Sequence, residues 1–250
     1  VPETARPHVT SPGNIEMSEL LEAFRTAVRL IATLDPDLAE IVGLSLRVSL
    51  SALAVATLLA LPIGAGVGIL RFPGRRLAII LLNSLLGLPP VVVGLLVYLF
   101  LSRSGPLGEL GLLFTPTAMI IAQTLLITPI IAALSRQVME DLFEEYDEQL
   151  RSLGAGTWQT IRTLLWEGRF SLLTAVLAGF GRAIAEVGAV IIVGGNIAHL
   201  TRVMTTTIAL ETNRGDLPLA LGLGILLIGL SILVNVAAHL AQEVARSAEA

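Results

Sequence analysis

An all-α integral membrane protein with about five transmembrane helices is predicted by three observations. Uncharged runs occupy 48–70, 77–102, 110–135 and 217–238, a fifth apolar stretch at 170–197 carries only Arg182 and Glu186, and most charged residues fall between these blocks. Each block reaches the roughly 18–20 residues needed to cross a hydrocarbon core. Composition agrees, with 54% hydrophobic residues, 14% charged residues and a mean hydropathy of +0.81, where soluble domains carry about 25% charged residues.

Residues 1–17 are Pro-rich and polar, have no apolar core of signal-peptide length, and are expected to form a disordered tail. Met17, directly before the first amphipathic pattern, is a candidate start. Over 20–34 the residues Leu20, Leu21, Phe24, Ala27, Val28, Ile31 and Leu34 recur at helical spacing, with Glu22, Arg25 and Arg29 elsewhere. Such a helix lies on the membrane surface or packs against the bundle. The membrane domain is expected over 18–244, with a short tail at 245–250.

Arginine excess marks cytoplasmic loops. The loop at 71–76 carries Arg71, Arg75 and Arg76, and the segment after Arg136 carries Arg151, Arg162 and Arg169. The opposite loops carry Arg103 in one and Arg202 with Arg214 in the other, so the two basic segments are assigned to the cytoplasm. Arg246 then lies inside, and Arg6, Arg25 and Arg29 are exceptions outside. Pro62, Pro89, Pro90, Pro116 and Pro129 lie in or at the ends of spans, where proline bends a helix statically.

The segment 140–169 is hydrophilic and long for a turn. Over 140–152 a helix is expected, with Leu142, Tyr146, Leu150 and Leu153 as one apolar stripe. Gly154 suits the left-handed position that closes a helix, and Thr157 offers an N-cap hydroxyl to a second helix whose apolar face is Trp158, Ile161, Leu164 and Leu165. A helix, a bend and a helix with apolar residues at the bend form a ligand for a groove on a soluble partner. The acids before Asp147, which are Glu140, Asp141, Glu144 and Glu145, read as a solvated face.

In the fourth span Arg182 and Glu186 stand four apart on one helix face. Charges at that depth face a bundle interior or a wet cavity. They form either a mutual ion pair fixing helix packing or a source of positive potential for a divalent oxyanion, and Arg182 is placed nearer the cytoplasmic end of its span. Gly188, Gly194 and Gly195 favour close helix packing, and Asn196 ends the helix or lines a pore. Thr201, Thr205, Thr206, Thr207 and Thr212 with Arg202 suit a weak, transient oxyanion site. They equally suit docking of a soluble protein or plain structure.

Several chemistries are excluded. There is no cysteine, hence no disulfide, thiolate metal site or thiol nucleophile. There is no lysine, so neither a P-loop nor a Ser-Lys dyad is available, and energy from a nucleotide must enter through a partner. His8, His199 and His239 are widely scattered in sequence and form no metal-binding motif. An ion-driven carrier needs intramembrane acidic or histidine relays, and only Glu186 qualifies.

Glu148-Gln149-Leu150-Arg151-Ser152-Leu153-Gly154 resembles the Glu-Ala-Ala-x-x-x-Gly loop of ABC-importer permease subunits. Gln149 and Leu150 replace the two alanines, and Leu164-Leu165-Trp166-Glu167 stands where most members have Ile-x-Leu-Pro. A second likeness is Gly181-Arg182-Ala183-Ile184-Ala185-Glu186-Val187-Gly188-Ala189, followed by Gly194-Gly195-Asn196-Ile197, Thr201-Arg202-Val203-Met204-Thr205-Thr206 and Ala209-Leu210-Glu211-Thr212. It resembles the permeases of tungstate ABC importers over about 18–242. The resemblance implies a non-catalytic, homodimeric, multi-pass subunit of a prokaryotic cell membrane, importing tungstate, molybdate or another oxyanion. It implies cytoplasmic ATPase subunits that hold ATP and magnesium, an extracytoplasmic oxyanion-binding protein, and no nucleic-acid partner or cofactor on this chain. It assigns Glu148, Leu150, Leu153, Gly154, Ala155, Gly156, Thr157 and Trp158 to a coupling helix docked on the ATPase. Arg182, Glu186, Asn196, Thr205 and Thr206 are assigned to the translocation path.

Overall fold

A computed structural model describes residues 21, 24–26, 28–29, 32–33 and 36–249. The tail at 1–17 and the stripe residues Leu20, Ala27, Ile31 and Leu34 lie outside the described residues. The backbone is helical at 21, 24–26, 28–29 and 32, and Leu21, Phe24 and Val28 are exposed.

The first full-length span, α1, is Pro36–Ile69. It is followed by α2 (Arg75–Leu85) and α3 (Pro90–Leu101), then a 3-10 turn at Gly108–Leu110. The long α4 is Pro116–Ser152, and α5 (Thr157–Glu167) leads into α6 (Arg169–Ile184). The chain closes with α7 (Gly188–Gly194), α8 (Met204–Arg214) and α9 (Leu217–Glu249), so the expected domain edge at 244 falls inside α9. Among the described residues three helices are long and apolar enough to cross a membrane, and the total reaches five when each bent pair is one span.

Two of the five apolar blocks are bent pairs of helices. The second span is broken between α2 and α3 by 102°, and the fourth between α6 and α7 by 57°. At the first break Pro89 precedes Pro90 at the start of α3, and two consecutive prolines remove the amide donors a continuing helix needs. Pro62 and Pro129, alone within α1 and α4, leave those helices continuous.

The third span is corrected. It begins at Pro116 rather than Leu110, and it continues without interruption through the segment read as a separate hydrophilic helix. Its 37 residues extend about 55 Å, against an apolar layer of about 30 Å. α4 therefore overhangs by roughly 25 Å.

α4 is also the centre of the bundle: 61% of its apolar window is buried, against 44% for α1 and 17% for α9. It packs along α1 through small residues at four-residue spacing, Ala52, Ala56, Ala60, Gly64 and Gly68, all buried. Small residues let helix backbones approach where lipid gives no hydrophobic drive. A Cβ on Gly64 would lie 2.7 Å from the Ser135 Cβ, and one on Gly68 would lie 3.0 Å from the Arg136 carbonyl oxygen.

The two basic segments lie at one end of the bundle, where Arg75 of the first loop pairs with Glu140 of α4. At the opposite end the Phe114 amide donates to the Val193 carbonyl at 2.9 Å, and the Met204 amide donates to the Ser45 hydroxyl at 2.8 Å. The two segments that arginine distribution assigned to one side thus lie together at one end of the bundle.

Candidate functional site

The elbow is a helical hairpin standing on the overhang of α4. α4 ends at Ser152, and Gly154 adopts φ +75°. The Gly154 amide donates to the Arg151 carbonyl and the Ala155 amide to the Leu150 carbonyl, each at 3.0 Å. These nested bonds satisfy the last carbonyls of the helix and need a left-handed residue at that position. Thr157 is not the cap of the next helix. Gly156 occupies that place, its amide donating to Gln159 Oε1 at 2.9 Å, which is the half of a capping box that the third helical residue supplies.

The expected apolar stripes divide in two. Leu142, Phe143, Tyr146 and Leu150 of α4 join Ile161, Leu164 and Leu165 of α5 in a small core with Met139, Ala65 and Ile69. Leu153 and Trp158 leave it, 76% and 75% exposed at the tip. Glu148, Gly156 and Thr157 are exposed beside them, while Ala155 and Leu150 are half-buried. Gly168 closes the base of the hairpin, where a Cβ would meet Leu142 Cδ1 at 2.7 Å. The Arg169 guanidinium covers both Trp166 and Phe170, at 4.7 and 4.5 Å from their ring centroids, a cation–π contact at the entry to α6.

The second cluster surrounds the α6–α7 break. Arg182 Nη1 lies 2.5 Å from Glu186 Oε2, and the carboxylate is 3% exposed. Glu186 Oε1 accepts the Ala189 amide at 3.0 Å, and its main-chain carbonyl accepts the Thr205 hydroxyl at 2.9 Å. The Gln123 side-chain amide donates to the Ala183 carbonyl at 3.0 Å. Gln123 is seven residues, about 10 Å, from the start of α4 at the end away from the elbow. Arg182 therefore belongs to the half of the bundle opposite the elbow, which corrects its expected position.

Asn196 follows the left-handed Gly195 that ends α7 and is itself left-handed, φ 51°. The Thr206 hydroxyl donates to Asn196 Oδ1 at 2.8 Å and accepts the Val203 amide at 3.2 Å. The Thr201 hydroxyl donates to the Gly194 carbonyl at 2.5 Å and accepts the Ile197 amide at 2.9 Å. The structure thus joins Arg182, Glu186 and Thr205 at one end of α7, and Asn196 with Thr206 at the other. Gly188 and Gly194 are closely packed, against Val91 and Met119.

Residues 60–247 match the family described as the binding-protein-dependent transport system inner membrane component. The chain belongs to that family. It is 43% identical over 227 residues, 91% of this chain and 100% of the relative, to the tungstate uptake system permease protein TupB of Peptoclostridium acidaminophilum. It is 39% identical to a probable anion ABC transporter permease protein of Haloferax volcanii, over 79% of this chain and 88% of the relative. With the TupB protein of Campylobacter jejuni it shares 33% identity over 90% of this chain and 94% of the relative. A membrane component with apolar spans agrees with the composition, and the resemblance read from the motifs agrees with these relatives.

Sequence reasoning missed four polar features of this permease component. Gln123, a lone amide in an uncharged run, is buried with its Oε1 unpaired. Ser45 caps the start of α8 from α1. Glu140, read as part of a solvated face, lies between Arg75 and Arg136. His199, scattered in sequence from the other histidines, meets Asp37 and Glu40, with ligand atoms within 4.8 Å of one another. Arg202 lines the same cleft, so the acids are already faced by a cation. The signals available were the isolation of Gln123 among apolar residues and the four-residue spacing of Arg136 and Glu140; the contacts of Ser45, of Glu140 with Arg75 and of His199 join residues far apart in the chain.

Proposed function

We propose that this permease component carries an oxyanion, tungstate foremost, from an extracytoplasmic binding protein into the cytoplasm by alternating access. The observation that carries this reading is the likeness to a tungstate uptake permease along the whole of that relative. The Haloferax relative, named for an anion in general, favours a second reading in which molybdate or another oxyanion is the cargo.

The chain works as a pair with a second copy and with ATPase subunits that bind ATP and magnesium, being itself non-catalytic. The tip of the elbow is the contact with those subunits. Two exposed large apolar side chains, Leu153 and Trp158, lie about 25 Å beyond the apolar layer, where lipid does not reach them. An apolar anchor flanked by Glu148, Gly154, Ala155, Gly156 and Thr157 is the composition of a helix end that enters a groove. Leu150 acts from behind, through the carbonyl that closes the helix.

At the opposite half, Arg182 is the element of the path that offers positive charge to a dianion, its side chain 35% exposed. Glu186, Thr205, Thr206 and Asn196 shape the path by fixing the ends of α7. A permeation site must hold its ion weakly enough to release it, and an arginine already paired with Glu186 has that moderated field.

The test is calorimetry of the cognate binding protein with tungstate, molybdate, sulfate and phosphate, followed by uptake into vesicles holding the complete transporter. Tungstate preference and ATP-dependent uptake are expected. Preference for sulfate or phosphate would overturn the cargo, and uptake by this chain without ATP and partners would overturn the transporter class.

A further inference from the structure

Where α4 leaves the apolar layer, three charged residues tie it to the loop between α1 and α2. Arg75 Nη2 lies 2.7 Å from Glu140 Oε1, and Arg136 Nη1 engages the other carboxylate oxygen. Arg75 is held in turn, its Nε donating to the Val67 carbonyl at 2.8 Å and its Nη2 to the Gly68 carbonyl at 3.1 Å. Side-chain exposure is 27% for Arg75, 30% for Glu140 and 9% for Arg136. A pair so withdrawn from water is screened less than a surface pair.

The position of this cluster gives it mechanical meaning. Glu140 stands twelve residues, about 18 Å, before the end of α4 at Ser152, on the shaft connecting the elbow to the bundle. Arg75 is the first residue of α2, a helix that buries no residue fully. In the single chain α2 packs against the core through the half-buried Leu82, and its first turn is tied to α4 through the carboxylate. From α2 the chain passes through the 102° break into α3. α3 meets α7 so closely that a Cβ on Gly94 would lie 2.7 Å from the Ala189 Cα.

We propose that Glu140 is a positioning residue for transport: it passes displacement of the elbow to α2, and through α3 to the break at Glu186. The inference rests on the elbow tip being the ATPase contact. Without the brace the tip still binds its partner and ATP is still hydrolysed, but α2 stays behind when α4 moves and the two processes separate.

The experiment uses the complete transporter in liposomes, with tungstate uptake and phosphate release measured on the same sample. Arg75→Ala leaves the Arg136–Glu140 pair within α4 intact, so it is the variant that folds even where Glu140→Ala does not. Each is expected to keep ATPase binding and hydrolysis while lowering tungstate moved per ATP about five-fold or more, the lower end of measured coupling between sites. The double variant is expected to be no worse than either single, because both remove one link. Because the chain has no native cysteine, Arg75→Cys with Glu140→Cys can be joined by a short cleavable thiol cross-linker, which is expected to restore uptake until it is cleaved. Unchanged uptake per ATP in Arg75→Ala would overturn the proposal, as would failure of the cross-link to restore coupling. Loss of ATPase binding in Glu140→Ala would place Glu140 in the docking surface instead. Failure of the underlying reading has a separate signature, which is normal ATPase binding after loss of Leu153 and Trp158.

Discussion

The hydroxyl of Thr205 donates to the main-chain carbonyl of Glu186 at 2.9 Å, so the first turn of α8 clamps the break between α6 and α7. The carbonyl belongs to the break itself, between the Ala185 cap of α6 and the start of α7 at Gly188, and Glu186 is only 3% exposed, so a buried polar group there needs a partner within the protein. Replacing Thr205 with Val keeps the shape and removes the donor. A loss of about 1–3 kcal/mol is expected for the orphaned carbonyl, read as a lower unfolding temperature in detergent. Thr205→Ser, which keeps the hydroxyl, is expected to stay close to the parent, and equal stability of all three would remove the clamp from the account.

Gly154 has nothing within 4 Å of the position a Cβ would take, yet its φ is +75°. Its requirement is therefore conformational and not steric. Gly154→Ala is expected to cost about 1–2 kcal/mol and to weaken ATPase binding through distortion of the tip, while Gly154→Asn, which tolerates that region, costs less. Pull-down of the ATPase subunit, with helix content monitored beside it, separates the two.

Leu153 and Trp158 are exposed in the single chain, so their removal is expected to leave stability unchanged. In the assembled transporter Trp158→Ala should weaken ATPase binding by about 2 kcal/mol or more, as expected for a buried aromatic anchor. Titration of labelled ATPase onto nanodisc-embedded permease measures this directly, and an unchanged affinity would move the contact elsewhere on the hairpin.

Gly64 and Gly43 provide a matched comparison on one helix. A Cβ on Gly64 would strike Ser135, the Ala132 carbonyl and the Arg136 amide within 3.0 Å, whereas one on Gly43 meets nothing within 4 Å. Gly64→Ala should destabilise the fold by about 1–3 kcal/mol through forced separation of α1 and α4. Gly43→Ala should be neutral or slightly stabilising, since alanine favours the helix by roughly 1 kcal/mol. Thermal unfolding of both in the same detergent distinguishes contact from propensity.

The imidazole Nδ1 of His199, when protonated, donates to Glu40 Oε2 at 2.9 Å. That bond, and then the charge of Glu40, raise the imidazole above its usual 6.5. A raised folded-state value means the tie between α1 and the loop after α7 is fully present below pH about 6.5 and is lost as pH climbs through the higher folded value. Titration of His199 by NMR should give a value above 6.5, falling when Glu40 is replaced by Gln. A value at or below 6.5 in the parent would count against the pair.

The apolar blocks that form the spans, the placement of the two arginine-rich segments on one side of the bundle, the special conformation of Gly154 and the pairing of Arg182 with Glu186 were all legible in the sequence. These depend on local quantities: the length of an apolar run, the distribution of arginine, the freedom of a residue without a Cβ, and the four-residue repeat of a helix. Tertiary structure alone decided that α4 is one helix from Pro116 to Ser152, that Leu153 and Trp158 separate from the apolar stripes, and that Gly156 displaces Thr157 as the cap. It alone placed Glu140 against Arg75, His199 against Glu40 and Thr205 against the broken helix. A sequence states what each residue can donate, accept or bury, and local periodicity carries that statement for about two turns. Which distant group answers a buried carbonyl or an unpaired charge is fixed only when the helices pack.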